Sequence, residues 1–282
     1  MRAVGGGNMK AVRMLVRAGA SLDLRSLSLC GGTALHVACH YRQTEIAKFL
    51  LATGTNANAQ TALGFRPLHI AAQLGLLDLV VALLSRGAEV KAKTGAKSTA
   101  LHRACLFGER AVAELLLDRG AEVDECGENG FLPLHCTVVP AREGLTDHSH
   151  VAQLLLSRGA NVNATDLGGR TVLHSAAFWG SAKVAKLLLD AGANIHLRDN
   201  CTSTALHCTA FRTPPMDRVG VDHQSKLHIA QMLVSRGIDV KALNNEGATA
   251  LATAETDLPP DAPLRTFLSG VASDRQPVCV VQ

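Results

Sequence analysis

Thr99-Ala100-Leu101-His102 opens an alanine-containing stretch, and an apolar run with Val112, Leu115 and Leu116 follows it, closed by Gly120. The same order of residues returns along most of the chain. The histidine of the Leu-His pair recurs at His36, His69, His102 and His135, each 33 residues after the last, then at His174 after 39 and at His207 after 33. A last copy, Thr249-Ala250-Leu251, carries Ala252 in the histidine place. A glycine keeps step at Gly19, Gly54, Gly87, Gly120, Gly159, Gly192 and Gly237. The interval from this glycine to the next histidine position is 15 residues, or 17 after Gly19. From histidine to glycine it is 18, lengthening to 24 after His135 and 30 after His207. The additional residues therefore fall within two repeats, between their helices.

Each unit has a physical logic. A threonine precedes the first helix and offers its hydroxyl to free backbone N–H groups. Pro67 and Pro133 sit at the first helical position, where a missing N–H does no harm. The first helix is short and alanine-rich, as in Leu68-His69-Ile70-Ala71-Ala72, and the second carries apolar residues at helical spacing. Its closing glycine suits a left-handed C-cap. Arg66 and Leu132 replace the capping threonine, which is expected to weaken those helix starts by about 1 kcal/mol each.

The six motif segments are Thr33-Ala34-Leu35-His36, Arg66-Pro67-Leu68-His69, Thr99-Ala100-Leu101-His102, Leu132-Pro133-Leu134-His135, Thr171-Val172-Leu173-His174 and Thr204-Ala205-Leu206-His207. Period and motif together resemble the ankyrin repeat. The resemblance covers residues 3–254 and implies an all-α fold: an ankyrin-repeat solenoid of stacked helix-turn-helix units joined by β-hairpin-like loops. The expected organisation is a partial N-terminal unit, about six full units and a partial C-terminal unit. A Pro-containing tail over 255–282 follows, with a short helical turn around Leu264–Leu268. The chain begins in mid-repeat, as expected of a truncated gene model or fragment, or of a frayed first unit.

Composition narrows the function. Hydrophobic residues make up 47% and charged ones 18%, which argues for folding along most of the length. The net charge of +4, with no block of like charges, disfavours a nucleic-acid footprint. No apolar leader precedes the repeats, and no stretch is long enough to span a membrane. Eight cysteines without a C-x-x-C pair read as reduced core thiols of an intracellular, cytoplasmic or nuclear, protein that is not secreted. Nucleophile elbows, phosphate loops and zinc-hydrolase motifs are absent from the sequence, so no enzyme, cofactor or metal is expected. The motif histidines would lie about ten ångströms apart along a stack, too far to share an ion. The resemblance implies instead that each links a hairpin to its neighbour. Asp147, His148 and His150 in one insertion, and Asp217, Asp222 and His223 in the other, read as parts of solvated loops.

The resemblance implies a partner-binding concave face made of hairpin tips and first-helix ends. Seven of the nine aromatic residues fall at those positions: Tyr41, Phe65, Phe107, Phe131, Phe178, Trp179 and Phe211. Leu74 joins them. Aromatic side chains dominate binding hot spots, so these residues read as a docking stripe, although some rings, Phe178 especially, could simply pack between first helices. Lys91 and Lys93, with Lys97, load one hairpin with positive charge. Asp124 and Glu125, with Glu122 and Glu128, load the next with negative charge. These residues either orient a partner or pair with each other. The chain ends Cys279-Val280-Val281-Gln282, which fits a C-a-a-X lipidation signal on Cys279 and peripheral membrane attachment if prenylated. The sequence thus points to a monomeric, non-enzymatic scaffold for a protein partner of unspecified identity. The alternative is the recognition part of a larger regulator or ubiquitin-ligase substrate adaptor.

Overall fold

The computed structural model describes residues 1–26, 30–139, 147–211 and 223–273. These residues are mostly helical. Among them there is no β-strand, only an isolated bridge between Thr165 and Thr171. No helix among them is long and apolar enough to cross a membrane. The chain packs as two units: Met1–Cys136 with Ser157–Ala160, and Thr137–Leu156 with Asn161–Gln282.

The first unit contains α1 (Arg2–Gly5), α2 (Met9–Arg17), α3 (Ala34–His40), α4 (Thr44–Ala52), α5 (Pro67–Gln73), α6 (Leu77–Ser85), α7 (Ala100–Leu106), α8 (Arg110–Asp118) and α9 (Pro133–Cys136). Short first helices pack in the row α3, α5, α7, α9, and second helices in the row α4, α6, α8. Leu35, Leu68, Leu101 and Leu134 from the first row, and Leu50, Leu79, Leu83 and Leu116 from the second, are sealed from solvent. Burying each contributes about 1.5–3 kcal/mol. Each second helix ends at a glycine whose φ lies between 79° and 93°, and a Cβ built there meets nothing within 4 Å. Conformation, not crowding, requires glycine at this position.

Each motif histidine works in two directions. The ring Nδ1 of His36, His69, His102, His174 and His207 accepts the backbone N–H of the residue capping its own helix, at 3.1–3.2 Å. That leaves the hydrogen on Nε2, which donates to a carbonyl of the following hairpin. The acceptors are Phe65 for His36 (3.0 Å), Ala92 for His69 (2.9 Å), Phe131 for His102 (3.1 Å), Ser203 for His174 (3.1 Å) and Ala248 for His207 (3.2 Å). Where Arg66 and Leu132 replace threonine, the histidine half of the capping box survives: their N–H groups still reach His69 and His135. Arg66 also reaches Glu89 at 2.7 Å, an interaction a threonine could not make.

The second unit contains α10 (Ser149–Ser157, all but its last residue), α11 (Val172–Trp179), α12 (Ala182–Asp190), α13 (Ala205–Ala210), α14 (His223–Ser235), α15 (Ala250–Asp257) and α16 (Pro263–Ser273). First helices α11, α13 and α15 pack in a row beside α12, α14 and α16. Three features depart from the sequence reading, the first being that His223, expected in a solvated loop, opens helix α14. Residues 263–273, expected as tail with one helical turn, form an eleven-residue helix, because Leu264 and Leu268 lie on one face and are buried where α16 meets α14 and α15. The first insertion is not wholly a solvated loop either. His148 is buried and its N–H donates to the Thr137 carbonyl at 3.1 Å, while an Asp147 carboxylate oxygen accepts the Lys183 N–H at 2.8 Å. Asp147 thereby caps α12, whose own Ser181 makes no side-chain cap. Lys226 on α14 is buried, and its ammonium donates to the Phe211 carbonyl at the end of α13 (2.8 Å). Burial pulls the Lys226 ammonium down to about 8.

Burial lowers the pKa of His36, His69, His102, His174 and His207, and that of His69 falls to about 4. A folded imidazole therefore stays neutral at a pH where the unfolded one, titrating near 6.5, takes up a proton. Stability is full above pH 6.5 and is lost progressively as the pH falls toward 4. His69 alone should remove about 2 kcal/mol by pH 5, read from urea melts across that window. Asp147→Ala should cost about 1 kcal/mol in the same assay at pH 7 by uncapping α12.

Candidate protein-interaction face

The residues expected to meet a partner occupy places where the backbone leaves a first helix or a hairpin, and each place is held by hydrogen bonds. Tyr41, Leu74 and Phe107 are the C-caps of α3, α5 and α7. There the chain turns toward the second helix, and the side chains stay exposed (Tyr41) or partly exposed (Leu74, Phe107). Phe65 and Phe131 close their hairpins: their carbonyls accept the Thr61 and Gly127 N–H groups at 2.9 and 2.8 Å, and also accept the rings of His36 and His102. The same histidines that join repeats thus set the height of these two rings.

In the first unit Tyr41 is 55% exposed, while Phe65, Leu74, Phe107 and Phe131 are partly exposed. The Leu74 carbonyl accepts an Arg42 Nη1 hydrogen bond at 3.1 Å. Gly75 follows with φ +68°, and the Glu109 carboxylate fills the space that a side chain at 75 would need. In the second unit Phe178 and Trp179 end α11 and meet edge-to-face with centroids 5.0 Å apart, both partly exposed. The Lys226 ammonium lies 5.5 Å from the Phe178 ring centroid. Phe211, the C-cap of α13, is also partly exposed.

The charged fingers pair with each other. Lys93 reaches Glu125 at 2.6 Å and Lys91 bonds Glu122, so their charge is engaged between neighbouring hairpins. Exposed pairs of this kind contribute at most about 1 kcal/mol. Asp124 is partly exposed on the same hairpin. The buried thiols of Cys39 and Cys208 are pushed up to about 12, which leaves them protonated and unreactive. No group of three or more His, Cys, Asp or Glu side chains suited to a metal ion occurs among the described residues. Cys279 and its motif lie outside those residues, as do Asp217 and Asp222.

One residue of this face escaped the sequence reading. The Arg103 guanidinium on α7 lies 5.4 Å from the Phe65 ring centroid and 5.2 Å from that of Phe107. It donates through Nη2 to the Gln73 side-chain oxygen, and its Nε is buried without a hydrogen-bond partner. Burial lowers its pKa from the ordinary arginine value. The available signal was its slot: the residue after the motif histidine is Val37, Ile70, Cys136, Ser175 or Cys208 in the other repeats, all uncharged.

Stacked helix pairs, two-way histidines and partly exposed rings at the helix ends together define a repeat protein of the interaction-module class. A family profile described as ankyrin repeats in three copies matches residues 1–94 and 101–199, and the chain belongs to the ankyrin repeat family. Among solved structures, the chain is similar to the human ASB11 ankyrin repeat domain, at 26% identity and a TM-score of 0.69, with 83% of this chain and 96% of that one covered. It is also similar to the ankyrin repeat domain of Bcl-3, described as a unique member of the IkappaB protein family. That match has 28% identity and a TM-score of 0.61, and covers 77% of this chain and 93% of that one. A comparison with curated proteins returns no match. Ankyrin repeat domains generally mediate protein–protein interaction and are typically non-enzymatic.

Proposed function

We propose that this chain is a non-enzymatic scaffold that holds a protein partner against the rings at its first-helix ends and hairpin closures. The observation that carries this reading is where the aromatic residues lie. The largest sealed side chains are all leucine, whereas Tyr41, Phe65, Phe107, Phe131, Phe178, Trp179 and Phe211 all retain solvent exposure. Rings left at the surface in fixed positions bury large rigid areas when a partner covers them, at little entropic cost. Leu74 adds apolar area between Phe65 and Phe107 in the chain order of the first unit. Lys91, Lys93, Asp124 and Glu125 contribute a polar rim rather than anchors, since the two lysines are already paired.

Combining Phe107→Ala with Trp179→Ala should abolish partner capture in a pull-down with the full chain as bait. Loss of one such anchor weakens binding by about 2 kcal/mol or more, roughly 30-fold. The far-ultraviolet circular dichroism and melting profile should stay close to those of the parent, because neither ring is a core residue. Retention of every partner by the double variant would refute this reading. Cys279-Val280-Val281-Gln282 supports, from sequence alone, a lipid anchor that would hold the scaffold reversibly at a membrane. Mass spectrometry of the chain expressed in a eukaryotic host should find a prenyl group on Cys279, and an unmodified thiol there would remove the anchor from the proposal.

A further inference from the structure

Among the described residues Arg103 makes no ion pair, whereas Arg66 pairs with Glu89, Lys91 with Glu122 and Lys93 with Glu125. Its position makes this costly. It follows His102 in a slot held by Val37 and Ile70 in the two preceding repeats, where Val37 is buried. A partly buried cation there loses hydration that an aliphatic residue never had. Gln73 offers one neutral oxygen in return.

What the position supplies is a guanidinium set against apolar surface, with Phe65 and Phe107 within cation–π range and Leu74 at the adjoining helix end. A guanidinium presents donors in a planar fork, and its best acceptor is a planar carboxylate taken in two parallel hydrogen bonds. In water that pair is worth little; between rings, with solvent excluded by an occupant, it is strengthened. From this arrangement we infer that the first unit takes an acidic peptide segment, with an Asp or Glu carboxylate on Arg103 and a neighbouring apolar side chain against Phe65, Leu74 and Phe107. The inference rests on the scaffold reading above and specifies the chemistry of its partner.

The test is to pan a library of random twelve-residue peptides on the full chain and then measure the selected peptides against variants. The expected result is enrichment of Asp or Glu beside a Leu, Ile, Val or aromatic residue. Binding of these peptides should fall at least tenfold with Arg103→Ile, fall less with Arg103→Lys, and weaken as salt is raised. Arg103→Ile restores the side chain that Ile70 provides one repeat earlier, so its melting temperature should equal or exceed that of the parent. This keeps the result readable as lost recognition rather than lost folding. Selected peptides that bind Arg103→Ile as tightly as the parent would overturn the inference. So would peptides without carboxylates that nevertheless lose binding with Phe107→Ala, and in that case the docking face itself would stand. Peptides indifferent to both Arg103→Ile and the Phe107→Ala, Trp179→Ala double variant would overturn both readings.

Discussion

The imidazole of the Leu-His pair is the part on which each unit depends, because its two nitrogens must play opposite roles. Nδ1 has to be a lone pair to accept the N–H of its own capping residue, and Nε2 then has to carry the hydrogen it gives to the next hairpin. Lysine or arginine offers donors only and could not make the first bond. One ring thus fixes the start of its helix and the level of the following repeat. The arrangement also explains why insertions are tolerated where they occur. His174 reaches a carbonyl 29 residues ahead and His207 one 41 residues ahead, yet the two bonds measure 3.1 and 3.2 Å. An insertion between the two helices of a repeat leaves the histidine link intact.

That division of labour leaves a small set of places for large side chains. The core positions are taken by leucine and alanine, which allow thin helices to approach closely, and Ala38, Ala71 and Ala104 are fully buried between them. A ring in such a slot would force the helices apart. At the C-cap of a first helix, by contrast, the backbone is turning and the side chain projects beyond the packed row. Rings there are compatible with the stack without being needed by it. This is why Tyr41, Phe107 and Phe211 at C-caps, and Trp179 at the last residue of α11, are compatible with the proposed docking face.

The repeat was legible because spacing alone encodes it: histidine, glycine and capping threonine recur at fixed offsets, and the glycines do adopt the left-handed conformation their position suggested. The linking role of the histidine was legible through its family resemblance, but its simultaneous service as a cap partner was not, since that depends on which nitrogen faces which N–H. Asp147 was harder still. It caps α12 from an insertion 36 residues away, and no local pattern announces a cap that arrives from elsewhere in the chain. The helix over Pro263–Ser273 was hidden by the prolines around it, and Leu264 and Leu268 gain meaning only once α14 and α15 supply a surface. The lysine-rich and acidic fingers left two readings open because partners about 31 residues apart are adjacent only after the repeats stack.

Charge placement in the first unit adds a last constraint. Along its hairpins, positive and negative residues neutralise one another at the solvent boundary, where each pair contributes little. Arg103 is set back from those tips, among Phe65, Gln73 and Phe107. A cation at an exposed tip is screened over about 8–10 Å at physiological salt, whereas one beside apolar rings would act over a surface that the proposed occupant would dry. Burial alone favours an aliphatic side chain in a slot that Val37 and Ile70 fill elsewhere. A local departure of this kind, against a repeat otherwise consistent from cap to core, is where function is expected to show itself.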